Sequence, residues 1–201
     1  MHLIGVTGTI GSGKSTVCAI MEELGAVIID ADRLAHDTYR PHTETWYRLV
    51  DAFGADILTV DDTVDRGKLA QKAFSSPQSV ERLNRIVHPA TARLALAAID
   101  TERRKGTRVT VLEATLLIEA GWQRLVDQVW LVKASEDAVL RRLEEQRGMD
   151  RSTVLNRLRS QTPAEQKEKS ADVVIQNDGT REELERRVRT LWQELVAPWP
   201  S

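Results

Sequence analysis

Gly8-Thr9-Ile10-Gly11-Ser12-Gly13-Lys14-Ser15-Thr16 decides the fold of this 201-residue chain. It fits the pattern of Gly, four residues, then Gly-Lys-Ser/Thr, a loop whose backbone N–H groups converge on phosphate oxygens. Lys14 brings a point charge to the terminal phosphates, Ser15 a hydroxyl for Mg²⁺, and the helix opening near Gly13 aims its positive end at the same anion. Such a loop needs a strand before it and a helix after it. Leu3-Ile4-Gly5-Val6 is a compact apolar run, and Val17, Ile20, Met21 and Leu24 recur at helical spacing, so both conditions are met. The chemistry implied is that of a nucleoside triphosphate, with ATP and Mg²⁺ as the expected cofactors.

Composition narrows the class. With 41% hydrophobic residues the chain is long enough for one well-buried core, and one domain is expected, residues 1–201. A formal net charge of -2 supplies no basic field for nucleic acid or anionic membrane, so a small-molecule substrate is favoured and no obligate protein partner is evident. Cys18 is the single cysteine, which excludes an internal disulfide framework and a cysteine-based zinc site. No basic stretch with an apolar run opens the chain and no apolar segment is long enough to span a bilayer, so a cytoplasmic location is expected.

Outward from the loop, Gly25 reads as the stop of the first helix, and Ala26-Val27-Ile28-Ile29 as a buried strand delivering Asp30-Ala31-Asp32 at its carboxyl end, where open α/β sheets place ligands. Asp32 is the functional candidate of the two acids, while capping of the next helix serves equally well for Asp30. From Arg33 to Lys105 the periodicity is helical. A parallel crossover needs only about a dozen residues, so 33–105 is read as an inserted lobe that holds a second substrate. Within it, Pro89 after His88 is expected to begin a helix that Gly106 stops, and His36, His42 and His88 are not at metal-ligand spacing.

The core then resumes. Arg108–Leu112 reads as the third strand with Glu113 at its end, a place where a Mg²⁺-ordering carboxylate often sits; Val129–Val132 and Asp172–Ile175 read as the fourth and fifth. Between the last two, residues 135–170 carry Arg141, Arg142, Arg147, Arg151, Arg157 and Arg159 around Gly148, the pattern of a hinged lid, with Arg142 as the arginine expected to reach the phosphates. Thr162-Pro163-Ala164-Glu165 and Thr180-Arg181-Glu182-Glu183 both read as capping boxes. Pro198-Trp199-Pro200 is expected to fray. The fold expected is a doubly wound α/β domain: a parallel five-stranded sheet flanked by helices, with core segments 1–32, 106–134 and 171–197.

Taken together, these residues resemble the dephospho-coenzyme A kinase family over nearly the whole chain. The resemblance is carried by the run from Leu3 through Gly8, Gly11, Ser12, Gly13 and Thr16, by Asp30-Ala31-Asp32, Phe53-Gly54, Asp65-Arg66 with Leu69, Leu83-Asn84 with His88-Pro89, Leu116-Leu117 with Glu119, Gln161, and Ala171-Asp172 with Asn177. The chain departs from the family pattern at Thr115, where proline is usual, and at Thr9, where the family has a second glycine; neither change removes a functional group. The resemblance implies transfer of phosphoryl from ATP to the ribose 3′-hydroxyl of dephospho-coenzyme A, the last step of coenzyme A synthesis. It implies Asp32, Lys14 and Arg142 in catalysis; Gly8, Gly11, Ser12, Gly13, Lys14, Ser15, Thr16 and Asn177 around ATP; and Asp32, His88, Leu116 and Glu119 around the acceptor. Mg²⁺ is then held by Ser15 with carboxylates acting through water.

A GTPase switch shares the loop but needs an Asn-Lys-x-Asp guanine signature that this sequence lacks. Another P-loop small-molecule or nucleoside kinase is the alternative reading, since such enzymes differ from one another in the acceptor lobe rather than in the loop.

Overall fold

A computed structural model describes residues 1–159, 161–196 and 198; the side chains of Gln146 and Arg147, and the expected fraying at Trp199-Pro200, lie outside the described residues. In chain order the main elements are β1 (His2–Gly8), α1 (Lys14–Glu23), β2 (Val27–Asp30), α2 (Ala31–Thr38), α3 (Glu44–Phe53), α4 (Arg66–Ala73), α5 (Pro77–Lys105), β3 (Val109–Glu113), β4 (Gln128–Lys133), α6 (Glu136–Arg147), α7 (Arg151–Arg159), α8 (Ala164–Glu168), β5 (Val173–Gln176) and α9 (Arg181–Leu191). The chain divides into two compact units, residues 1–30 with those from 101 onward, and residues 31–100.

The first unit is built on a parallel sheet ordered β2-β3-β1-β4-β5. Its strands are near-continuous apolar runs because parallel sheets are covered on both faces. Ile4, Val6, Val111, Trp130, Val132 and Ile175 form one buried cluster with Val17 and Met21 of α1 and Leu184 and Val188 of α9. β1 runs two residues beyond the apolar stretch, since Gly8 still pairs with Val132. The register sets Val6 opposite Glu113 and Asp30 opposite Glu113, so the carboxyl ends of β1, β2 and β3 are level where the loop begins. The chain leaves β1 toward one edge of the sheet and crosses to the other edge at β4, and this reversal is where such sheets open a ligand crevice.

The second unit is helical. Leu49 and Phe53 of α3, Ile57, Leu69 and Ala73 of α4, and Ile86 and Val87 of α5 close its apolar cluster. α5 corrects the sequence reading: the helix starts at Pro77 and Pro89 lies inside it. Ser76 caps the true start, its Oγ accepting from the Ser79 N–H at 3.1 Å, and Pro77 takes the first-turn position where a missing N–H costs nothing. Two prolines competed for the same signal, and the second is tolerated because apolar residues on both sides of it, Ile86 and Ala90, are buried. The helix does stop at Gly106, whose N–H bonds the Arg103 carbonyl while the Thr107 N–H bonds that of Glu102.

Of the two capping boxes expected, one forms. Thr180 Oγ1 accepts from the Glu183 N–H at 3.3 Å and Glu183 Oε2 accepts from the Thr180 N–H at 2.9 Å. At the other site Pro163 itself is the N-cap and no side-chain cap bond is made, because the helix begins one residue later than the Thr162 reading requires. Thr180→Ala removes one partner of the intact box and is expected to lower stability by about 1 kcal/mol, measured as a shifted urea midpoint at unchanged slope.

Candidate active site

The loop after β1 is closed by its own lysine. Lys14 is 8% exposed and its Nζ donates to the carbonyls of Gly8 at 3.1 Å and Thr9 at 3.3 Å, arching over the turn that the N–H groups line. Gly13 is the N-cap of α1 with φ 97, a left-handed conformation that side chains rarely adopt, and a Cβ there would collide with the amide nitrogen of Asn177. Ser12 Oγ is buried with no hydrogen-bond partner among the described residues. A buried hydroxyl left unpaired is costly unless something occupies the loop it faces. Thr16 follows in the first turn of α1, half-buried.

Ser15 Oγ donates to Glu113 Oε1 at 3.0 Å, joining the helix start to the carboxylate at the end of β3. Hydroxyl and carboxylate are hard oxygen donors, and Mg²⁺ is typically held by one or two such protein groups together with substrate phosphates, so this pair fits that ion. Among the described residues no group of three or more His, Cys, Asp or Glu is assembled for a metal. Below the pair lies Cys18, 3% exposed in the core cluster. Burial, and then the neighbouring Glu113 carboxylate, push its thiol well above the usual range, so it is held as the inert thiol.

On the other flank of the loop, Asn177 after β5 is buried and reads two partners at once. Its Nδ2 donates to the Ser12 carbonyl at 2.7 Å, and its Oδ1 accepts from Arg142 Nη2 at 3.2 Å. Arg142 also donates to the Gly179 carbonyl at 3.3 Å, and its Nη1 is buried with no partner among the described residues. Asp178 ties the same turn to the start of α6 by accepting from the Ser135 N–H at 2.7 Å; that bond, more than any other contact, holds its carboxyl below the ordinary carboxylate range.

The arginine-rich hairpin has its own small core. Val139, Leu140 and Leu143 of α6 pack with Val154 of α7, and Ile10 from the loop tip joins them. A Cβ on Gly11, at φ 72, would come within 2.9 Å of Val139 Cγ1. The Ile10 N–H is held by Gln161 Oε1 at 3.0 Å. Loop and hairpin are therefore in direct register, with Gly148 at the turn between α6 and α7.

The segment after β3 carries Leu116, half-buried, and Glu119. Glu119 Oε1 pairs at 2.9 Å with Nζ of Lys167 on α8, and the same Nζ donates to the Thr115 carbonyl at 2.8 Å. Lys167 and Gln161 were given no role by spacing alone, although one signal existed for the former. Ala164-Glu165-Gln166-Lys167-Glu168 contains no large apolar residue, so a helix there must turn a polar one inward.

In the helical unit, Asp32 is exposed in the first turn of α2, directly after the last residue of β2, and His88 is half-buried in α5. Asp30 is the last residue of β2 and directly precedes α2.

The family model CoaE, dephospho-CoA kinase, matches residues 2–183. The dephospho-CoA kinase of Geobacter metallireducens is 44% identical over 200 residues, covering 100% of both chains. Among solved structures, TT1252 from Thermus thermophilus aligns at TM-score 0.81 and 35% identity over 98% of each chain, and the dephospho-CoA kinase from Campylobacter jejuni at TM-score 0.70 and 24% identity over 96% of each.

Proposed function

This chain belongs to the dephospho-CoA kinase family, and we propose from that membership how its own residues share the transfer of phosphoryl from ATP to the ribose 3′-hydroxyl of dephospho-CoA. The observation that carries the reading is the full-length family match around a loop whose Ser15 is bonded to a strand-end carboxylate and whose Ser12 carbonyl is bonded to Asn177.

Lys14 and the N–H groups from Gly11 to Thr16 neutralise the triphosphate. Ser15 and Glu113 hold Mg²⁺, which when bound neutralises charge on the phosphate oxygens. We assign Asp32 to orienting the acceptor hydroxyl and taking its proton, and Leu116, Glu119 and His88 each to acceptor binding. Asn177 and Arg142 hold the nucleotide from the other flank. We assign 33–105 to acceptor binding and 135–170 to a lid over the core segments 1–32, 106–134 and 171–197. The cytoplasm is the compartment proposed; no described helix is long and apolar enough to cross a membrane.

Two substitutions follow from these pairings. Glu113→Gln keeps a hydrogen-bond acceptor for Ser15 but loses the charge, and is expected to raise the Mg²⁺ concentration for half-maximal activity about tenfold while KM for the acceptor stays put. A Mg²⁺ titration at saturating substrates checks it. Arg142 is bonded to the Asn177 turn, so Arg142→Ala is expected to raise KM for ATP about tenfold as well as lowering kcat, read by steady-state kinetics.

The function itself is tested by a coupled ADP-release assay with dephospho-CoA, adenosine, nucleoside monophosphates, shikimate and gluconate as acceptors. Turnover on dephospho-CoA above all others is expected. Turnover confined to a different acceptor contradicts the reading and selects another P-loop kinase.

A further inference from the structure

Lys167 is fully buried, at 0% exposure, in a five-residue helix made otherwise of alanine, glutamate and glutamine. An ammonium is costly to bury unless it is paired and hydrogen-bonded, and here both conditions are met by one short segment: Glu119 Oε1 at 2.9 Å and the Thr115 carbonyl at 2.8 Å. The Thr115 carbonyl accepts a second bond, from Thr7 Oγ1 at 3.2 Å on the last turn of strand before the phosphate loop. The helix that carries Lys167 is braced in turn. Lys133 at the end of β4 pairs with Glu168 at 2.9 Å and Glu165 at 3.6 Å. One buried charge therefore fixes both the backbone and the carboxylate of the segment after β3, from a helix that is itself pinned to the sheet.

Lys167 is the buried partner and Glu119 the one in contact with water, so the pair contributes little net stability but fixes geometry: the ammonium is stranded without the carboxylate, and the carboxylate is held in one place by an ammonium that cannot move. We infer that Lys167 is a positioning residue for the acceptor: it holds Glu119 and the Thr115 turn in the arrangement that receives dephospho-CoA. The inference rests on the proposed placing of Glu119 and Leu116 at the acceptor. Lys167 touches no reacting atom. Its loss loosens acceptor binding and leaves the nucleotide flank, held by Asn177 and Arg142, as it was.

The test is steady-state kinetics on Lys167→Met, Lys167→Arg and Glu119→Gln, varying ATP and dephospho-CoA independently, with thermal unfolding of each variant. Lys167→Met is expected to raise KM for dephospho-CoA about thirtyfold with KM for ATP within about twofold of wild type. Lys167→Arg keeps the charge in a different geometry; it is expected to fold and to raise the acceptor KM about fivefold. Glu119→Gln is expected to raise it as well. A folded Lys167→Met with a wild-type acceptor KM, or one that raises both KM values alike, overturns the inference. If Lys167→Met does not fold, Lys167→Arg decides, and a wild-type acceptor KM in that variant overturns it equally. An impaired Glu119→Gln beside unaffected Lys167 variants removes the role of Lys167 and leaves Glu119 at the acceptor. The converse, a wild-type Glu119→Gln, removes Glu119 from the acceptor and this inference with it.

Discussion

Lys14→Ala is expected to lower kcat by about a thousandfold, roughly 4 kcal/mol of lost transition-state stabilisation. The ammonium sits over the loop, bonded to the Gly8 and Thr9 carbonyls, and is 8% exposed, so its charge acts in a site from which water is largely excluded. Charge gathers on the oxygens of the transferring phosphoryl as the bond to ADP loosens, and a fixed cation there contributes more to that state than to bound ATP. The fold is expected to survive. Alanine favours the first turn of α1, the Val17 N–H still reaches the Gly13 carbonyl, and the cluster under the helix is untouched. Circular dichroism and kcat measured on one preparation check both halves, and retention of a tenth of wild-type turnover would refute the role of Lys14.

Asp32→Asn is expected to cut kcat by about a thousandfold, within the range for loss of a general base, with a much smaller change in either KM. Asparagine keeps the size and one hydrogen-bond acceptor, so the acceptor hydroxyl is still met, but the amide takes no proton. Asp32 is exposed in the first turn of α2, immediately after the strand end, and lies outside the apolar cluster of its unit. The melting temperature should therefore stay near that of wild type. A kcat within about threefold of wild type would take the proton-accepting role away from Asp32.

Local chemistry made most of the first unit readable from the sequence. The glycine-lysine-serine loop, the apolar strands and the cap at Thr180 are each decided by neighbours within a few residues, and each forms where its pattern lies. What stayed hidden is long-range. The Asn177 to Ser12 bond joins positions 165 apart, Ile10 to Gln161 spans 151, and Ser15 to Glu113 spans 98, distances over which periodicity carries no information. Glu113 was legible as an acid ending an apolar strand, but its hold on Ser15 depended on the register of β1 with β3. Pro89 misled because a proline in the middle of a helix and a proline at its start look alike until the cap at Ser76 is known. The family resemblance supplied the acceptor, which the residues alone left open between several small-molecule kinases.

Phosphorylation of one hydroxyl of one acceptor is measured most directly by the position of the new phosphate. Dephospho-CoA incubated with ATP, Mg²⁺ and the protein yields a product whose new phosphorus resonance can be correlated with ribose protons by two-dimensional NMR. A single product coupled to the ribose H3′ is expected. A phosphate on the 2′-oxygen or on the pantetheine hydroxyl, or ATP consumption with dephospho-CoA recovered unchanged, would contradict it.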